Sequence, residues 1–229
     1  MIGFNNFVHA RCPFASSRAC SCGRYACHLD SLIVAVDGAC RGNGVNATRS
    51  AAGVYYGPSD HGNLNFAFEV PAANQEPKHT SQRAELWAAI AALMNAQYFT
   101  RQGGQWPCDD EPHADGHGAE PCRVRHLIIK SDSAYLVNGM TGTLARWATN
   151  GWLTARRTRV KNVDLWEQLL ALVTEYEEDL EASVDFWLVP RAENADADRL
   201  ADLGLDNPVD SIHGQPGFRL VRLGDAEQS

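Results

Sequence analysis

No run in this 229-residue chain approaches the ~18 consecutive apolar residues of a membrane span. The nearest, from Ala84 to Ala96, is broken by Glu85 and Asn95. No membrane partner is expected. Nor does the N-terminus hold the uninterrupted apolar core of a signal peptide, so an intracellular protein of nucleus or cytoplasm is expected. The acid-poor first 29 residues, with their Arg and Ser, keep mitochondrial import open. Excess positive charge is missing as well: 20 Lys and Arg stand against 28 Asp and Glu, a net −8. That excludes a globally basic nucleic-acid binder, so such a role must rest on local charge. An even cysteine count is also absent. Seven cysteines without a secretory signal point to thiols or metal ligands, not to a disulfide scaffold. Internal repeats are lacking. What remains is a composition 45% hydrophobic and 21% charged, ordinary for one large globular domain or one domain with appendages.

Residues 1–30 are rich in Cys and Ser, carry no acid before Asp30 and show no period, which reads as an N-terminal extension. Ser31 to Gly38 (SLIVAVDG) is a β-branched apolar run ending in a turn, the signature of a buried strand. Segments 51–57 and 63–70 read as two further strands, joined as a hairpin by the Pro58 to Gly62 turn. Thr80 or Ser81 caps a helix running to about Tyr98, with Leu86, Ala89, Ile90 and Leu93 inward. Residues 101–122 hold Gly, Pro and acids without a period and read as a surface insertion. A fourth strand at 124–130, a short helix at 133–138, an amphipathic helix at 162–178, a fifth strand at 183–189 and a helix at 192–203 follow. Leu165, Leu169, Leu172 and Val173 face inward on the amphipathic helix. The domain therefore spans 31–204, with a tail at 205–229. The order β-β-β-α-β-α-β-α predicts an α/β domain, a mixed sheet layered with helices.

In such sheets ligands gather where strands end. Asp37 and Asp132 each follow an apolar run, LIVAV and HLIIK. One such Asp reads as a turn or cap residue. Two on separate buried strands are costly unless a cation neutralises them. Glu85, in the first turns of the long helix, and Asp198 or Asp196 in ENADADRL are further candidates. Alone, each would be a solvated helix acid. Four carboxylates suit a pair of hard divalent ions such as Mg²⁺, which keep waters and take substrate phosphate.

AVDGACRGNG at 35–44, TSQRAEL at 80–86, IIKSDSAYLVNG at 128–139, NGWLT at 150–154, VKNVDLW at 160–166 and ENADADRLA at 193–201 occur in this order. Together they resemble ribonuclease H of the type 1 class over residues 31–204. The resemblance implies a ribonuclease H-like fold, a five-stranded mixed sheet with helices on both faces. It makes Asp37, Glu85, Asp132 and Asp198 the metal-binding carboxylates, loaded with Mg²⁺ or, as a substitute, Mn²⁺. The implied activity is endonucleolytic cleavage of the RNA strand of RNA–DNA hybrids by a monomer, leaving 5′-phosphate and 3′-hydroxyl ends, with no protein partner. By the same resemblance Asn43 and Gln82 contact the hybrid's minor groove, where RNA displays its 2′-hydroxyls. Ser81 stands where the family usually has Asn. Thr80 and Asn162 match a pocket for a DNA phosphate, and Tyr135 lies along the DNA strand. The family's usual Trp nearby is replaced by Thr143. The family's loop with a histidine is shortened here to Val189–Asn194; Arg191 is the nearest substitute, able to order phosphate but not to act as a general acid.

Between Asp132 and Asp164 no acid occurs, while Arg146, Arg156, Arg157, Arg159 and Lys161 do, with Trp147 and Trp152 among them. This stretch is +5 and leaves −13 for the rest of the chain. It reads as a local basic protrusion for duplex backbone, with Arg156, Arg157 and Arg159 at its centre. Cys12, Cys20, Cys22 and Cys27, near His9 and His28, form a candidate Zn²⁺ set without a tidy C-x₂-C pair; free thiols are the alternative. Cys108, His113, His117 and Cys122 have ligand-like spacing inside the insertion. Cys40 is expected to be small and buried near the site. Two other functions fit the carboxylates. A 3′–5′ exonuclease or resolvase of the same fold is opposed by NGW and KNVDLW. A catalytically weak hybrid-binding module is opposed by the intact acid set.

Overall fold

The computed structural model describes residues 2–4, 7–11, 27–42, 47–57, 65–74, 79–101, 124–206 and 220–222; side chains of 2–11, 27–30, 99 and 220–222 lie outside the description. In chain order the elements are β1 (Ile2–Phe4), β2 (Phe7–Arg11), β3 (Cys27–Arg41), β4 (Arg49–Tyr55) and β5 (Phe66–Glu69). Then come α1 (Ser81–Arg101), β6 (His126–Ser131), α2 (Ala134–Asn138), α3 (Leu144–Thr149), α4 (Val163–Leu180), β7 (Ser183–Leu188), α5 (Ala195–Asp206) and β8 (Leu220–Arg222).

The centre of the sheet runs β5-β4-β3-β6-β7. β5, β4 and β3 are antiparallel neighbours, whereas β3, β6 and β7 run parallel. This is the mixed five-stranded sheet the sequence implied. β3 is apolar on both faces because both faces are covered. Leu32, Val34 and Val36 look one way and Ile33 and Ala35 the other, all nearly inaccessible. Gly38 and Ala52 pair across the strands and face α1, while Asp37 and Gly53 pair and face α5. Helices thus lie on both faces. α4 lies against α1 and closes the larger core through Leu165, Trp166, Leu169 and Tyr176, with Leu172 and Val173 at its margin. No helix among the described residues is long and apolar enough to cross a membrane.

Four expectations change. Residues read as an extension contribute β1, β2 and the start of β3. β2 pairs β3 at Cys27, His28 and Ile33, below the stretch that β4 occupies. The tail contributes β8, which pairs with β5, so the sheet has eight described strands. The helix ending at Asn138 continues through a π-turn at Gly139–Thr143 into α3. Gly139 is there for packing: a Cβ would fall 2.2 Å from the Trp166 ring. The last helix starts at Ala195 after a 3₁₀ turn, Arg191–Glu193. Of the proposed insertion at 101–122, Arg101 ends α1 and the rest lies outside the described residues.

α5 docks on β4 by the absence of a side chain. A methyl at Gly53 would lie 2.5 Å from the Ala197 carbonyl and the Ala201 amide. Gly53→Ala is therefore expected to destabilise by about 1–3 kcal/mol, because backbone must give way. Gly142, with nothing within 4 Å of its added Cβ, is the control. Gly142→Ala is expected to be neutral or stabilising by up to ~1 kcal/mol. Urea unfolding checks both; equal midpoints would contradict this packing.

Candidate active site

β3 and β6 are in parallel register at Ala35 and Lys130. Asp37 and Asp132 both stand two residues beyond that pair, so the two carboxylates emerge side by side where the strands part. Gly38 brings in the third. An added Cβ there would fall 2.2 Å from the Glu85 amide nitrogen, so α1 rests its first turns directly on β3. Only glycine permits that approach, and it sets Glu85 next to Asp37. The Ser133 hydroxyl donates to Glu85 Oε2 and accepts the Leu136 amide at 3.1 Å, capping α2. Asp198 reaches the group from α5. Arg191 bridges to it, with Nη2 on Asp198 Oδ1 and Nη1 3.9 Å from Asp132 Oδ2. Asp196 is exposed, and its charge bears on Tyr55 and Lys130.

The electrostatics are those of crowded acids. Burial, then the Asp132 charge, pushes the Asp37 carboxyl up to about 7, with Asp198 adding to the rise. The Gly38 amide and the Arg191 guanidinium offset it only in part. Burial also raises Glu85, against the Ser133 hydrogen bond. A cavity of about 370 Å³ opens here, lined by Asp37, Glu85, Asp132, Ser81, Gln82 and Arg191 among others. All its acid donors are hard oxygens and the buried charge is under-compensated, which fits divalent cations. Among the described residues no three His, Cys, Asp or Glu groups are arranged to hold one ion. Mg²⁺ suits so sparse a set of protein oxygens because it keeps several of its waters.

Of the expected substrate contacts, Ser81 and Gln82 line the cavity beside Glu85, and Tyr135 borders it. Thr80 caps α1, its hydroxyl accepting the Arg83 amide at 3.1 Å. Asn162 lies at the start of α4 and donates to the Tyr135 hydroxyl at 3.2 Å. Arg156, Arg157 and Arg159 are exposed on a loop closed by Val160 N donating to Trp152 O at 2.9 Å. Trp147 and Trp152, interleaved with those cations in sequence, are instead tucked against the core. Asn43 lies outside the described residues, as do Cys12, Cys20 and Cys22 and the side chain of Cys27, so the zinc set does too. Cys40 is half-exposed at the end of β3, not buried as expected.

Two residues escaped the sequence reading. Asn194 is 1% exposed. Its amide donates to Val36 O at 3.0 Å and to Asp132 Oδ1 at 2.9 Å, tying the two strand ends together. Its own carbonyl accepts the Asp198 amide at 3.1 Å, at the head of α5. An Asn ahead of a helical run is a cap signal, and that signal was present in ENADADRLA. Arg83 is the other: 8% exposed, it forks onto Asp164 at 3.0 and 2.7 Å.

The ribonuclease H family profile matches residues 30–205. Ribonuclease H of Alcanivorax borkumensis is 32% identical over 178 residues, covering 78% of this chain and 93% of that protein. Ribonuclease H of Moorella thermoacetica is 35% identical over 150 residues, covering 65% and 76%. The foamy viral protease-reverse transcriptase, solved in complex with RNA/DNA hybrid, superposes with a TM-score of 0.50 at 17% identity, over 75% of this chain and 19% of that one. That last likeness is one of fold. Since the matched stretch contains all four carboxylates and every central strand and helix, the chain belongs to the ribonuclease H family.

Proposed function

We propose that this chain hydrolyses the RNA strand of RNA–DNA hybrids, using two divalent ions held by Asp37, Glu85, Asp132 and Asp198. The observation that carries this is the convergence of Asp37, Glu85 and Asp132 on one open polar cavity, with Asp198 joined through Arg191. Mg²⁺, or Mn²⁺ in its place, supplies activation of the attacking water and stabilisation of the leaving 3′ oxygen when bound. The products are 5′-phosphate and 3′-hydroxyl ends. The chain's own residues orient that chemistry. Ser133 holds the Glu85 carboxylate and Asn194 the Asp132 carboxylate. Arg191, 73% exposed along its side chain beside Asp132 and Asp198, would order substrate phosphate were those two aspartates to hold metal. Ser81 and Gln82, at the cavity rim, meet the minor groove, where 2′-hydroxyls distinguish RNA. The basic loop holds duplex backbone. Residues 31–204 form the catalytic unit, and no step requires a second copy.

The carboxylates make the first test. Asp132→Asn and Asp198→Asn are expected to abolish hybrid cleavage, whereas Asp196→Asn keeps it. Asp37→Asn is expected to abolish cleavage and also to stabilise the metal-free protein by about 1–3 kcal/mol, because it removes a buried, poorly paired charge. Mg²⁺ should raise the melting temperature of wild type and lose that effect in Asp37→Asn. Cleavage by a folded Asp132→Asn variant in saturating Mg²⁺, or a melting curve of Asp37→Asn below wild type, would sink the assignment.

The basic loop makes the second. Replacing Arg156, Arg157 and Arg159 with Gln should raise KM and leave kcat near wild type, since phosphate contacts position the duplex. For every phosphate the loop no longer grips, the slope of log K against log salt should flatten by about 0.9. Unchanged hybrid affinity at physiological salt would make the loop an ordinary solvated surface.

A further inference from the structure

We infer that Arg83, with Asp164, is a positioning clamp that fixes the basic loop and Asn162 against the helix carrying Glu85. The inference rests on the hybrid-cleaving reading above. The geometry begins at Asn162. It precedes α4 in a left-handed conformation, φ 57° and ψ 36°, and makes no side-chain cap. An Asn placed there would ordinarily cap the helix. Here its amide is diverted: Oδ1 accepts Arg83 Nη1 at 3.3 Å, and Nδ2 donates to the Tyr135 hydroxyl at 3.2 Å. That hydroxyl also accepts the Trp166 indole N–H at 3.1 Å and donates to Lys161 O at 3.3 Å. One linked set therefore joins α1, the cavity rim at Tyr135, and the end of the loop that bears Arg156, Arg157, Arg159 and Lys161.

The pair is poorly built for stability. The guanidinium is buried, its Nε has no partner, and Asp164 is 61% exposed along its side chain. Desolvation on one side and solvent screening on the other leave little net gain. What a two-pronged fork does well is fix direction. Arg83 lies one residue after Gln82 and two before Glu85, so whatever it grips is held in register with the cavity. A second ion-pair set ties the same two helices at their far end, where Arg101 meets Glu175 at 2.7 Å and also Asp179. That set supplies the control.

The experiment compares Arg83→Gln, Asp164→Asn, their double variant and Arg101→Gln. Hybrid affinity is measured by anisotropy of a labelled RNA–DNA duplex in EDTA, and KM and kcat in Mg²⁺. Arg83→Gln and Asp164→Asn should each raise Kd and KM about tenfold, the worth of one charge-assisted hydrogen bond. kcat should stay near wild type, and the double variant should be no worse than either single one. Arg101→Gln should leave Kd and KM alone. Asp164 is largely exposed, so its variant keeps the test alive if Arg83→Gln does not fold. In the free protein, the Trp166 indole N–H resonance should shift in Asp164→Asn and not in Arg101→Gln. Wild-type affinity in Asp164→Asn, an equal loss in Arg101→Gln, or a fall in kcat at constant KM would each overturn the clamp. Cleavage by wild type tests the hybrid reading separately; the ratio of variant to wild type and the indole resonance decide the clamp.

Discussion

Carboxylates cannot share a buried pocket unless positive charge lies between them. Much of this fold is arranged around that constraint. Parallel register puts Asp37 beside Asp132, and Gly38 lets α1 deliver Glu85 to the same spot. The protein compensates only partially. Arg191 spans two of the acids from an exposed position, and Ser133 and Asn194 each hold one carboxylate by a single hydrogen bond. The outcome is an Asp37 carboxyl pushed up to about 7. Such a site is strained by like-charge repulsion, and the divalent ions proposed above would relieve it.

Charge is partitioned along the chain as well as within the site. The acid-free stretch between Asp132 and Asp164 carries its cations outward, Arg146 on α3 and the other four on an exposed loop, while its two tryptophans turn inward. Trp147 meets Trp166 edge-on at 5.6 Å, and Tyr135 packs on Trp166 at 5.2 Å. Aromatic packing thus fastens α2 and α3 to the core, Trp152 seats the loop beside them, and the loop's guanidinium groups remain exposed. An acidic protein can hold nucleic acid in this way, since screening confines its distant negative charge to within about a Debye length, ~8 Å at physiological salt.

How much of this was legible depended on the range of each interaction. β3 could be read because it is apolar on both faces, and Asp37 stood out as the charge that ends the apolar run. α4 showed its inward stripe, and α1 its cap. β1, β2 and β8 are short, and their pairing is set by the strand edges they meet, so no alternation announced them. α3 lies beyond Asn138, where the short helix was expected to end, and Gly139 at that point is a seat for Trp166. Arg83 and Asn194 were invisible for a different reason: their partners lie 62 to 158 residues away, and only the folded chain brings them together. Asp37, Asp132 and Glu85, by contrast, stood out because each ends or begins an element with a readable pattern, whereas Asp198 was preferred to Asp196 only through the resemblance to ribonuclease H.

The most direct measurement is a cleavage assay on an RNA–DNA hybrid with a different label on each strand, run in Mg²⁺ and in EDTA. The account predicts internal cuts in the RNA strand alone, leaving 5′-phosphate and 3′-hydroxyl ends, in Mg²⁺ and not in EDTA. Cutting of the DNA strand, stepwise shortening from a 3′ end, or equal cleavage in EDTA would contradict it.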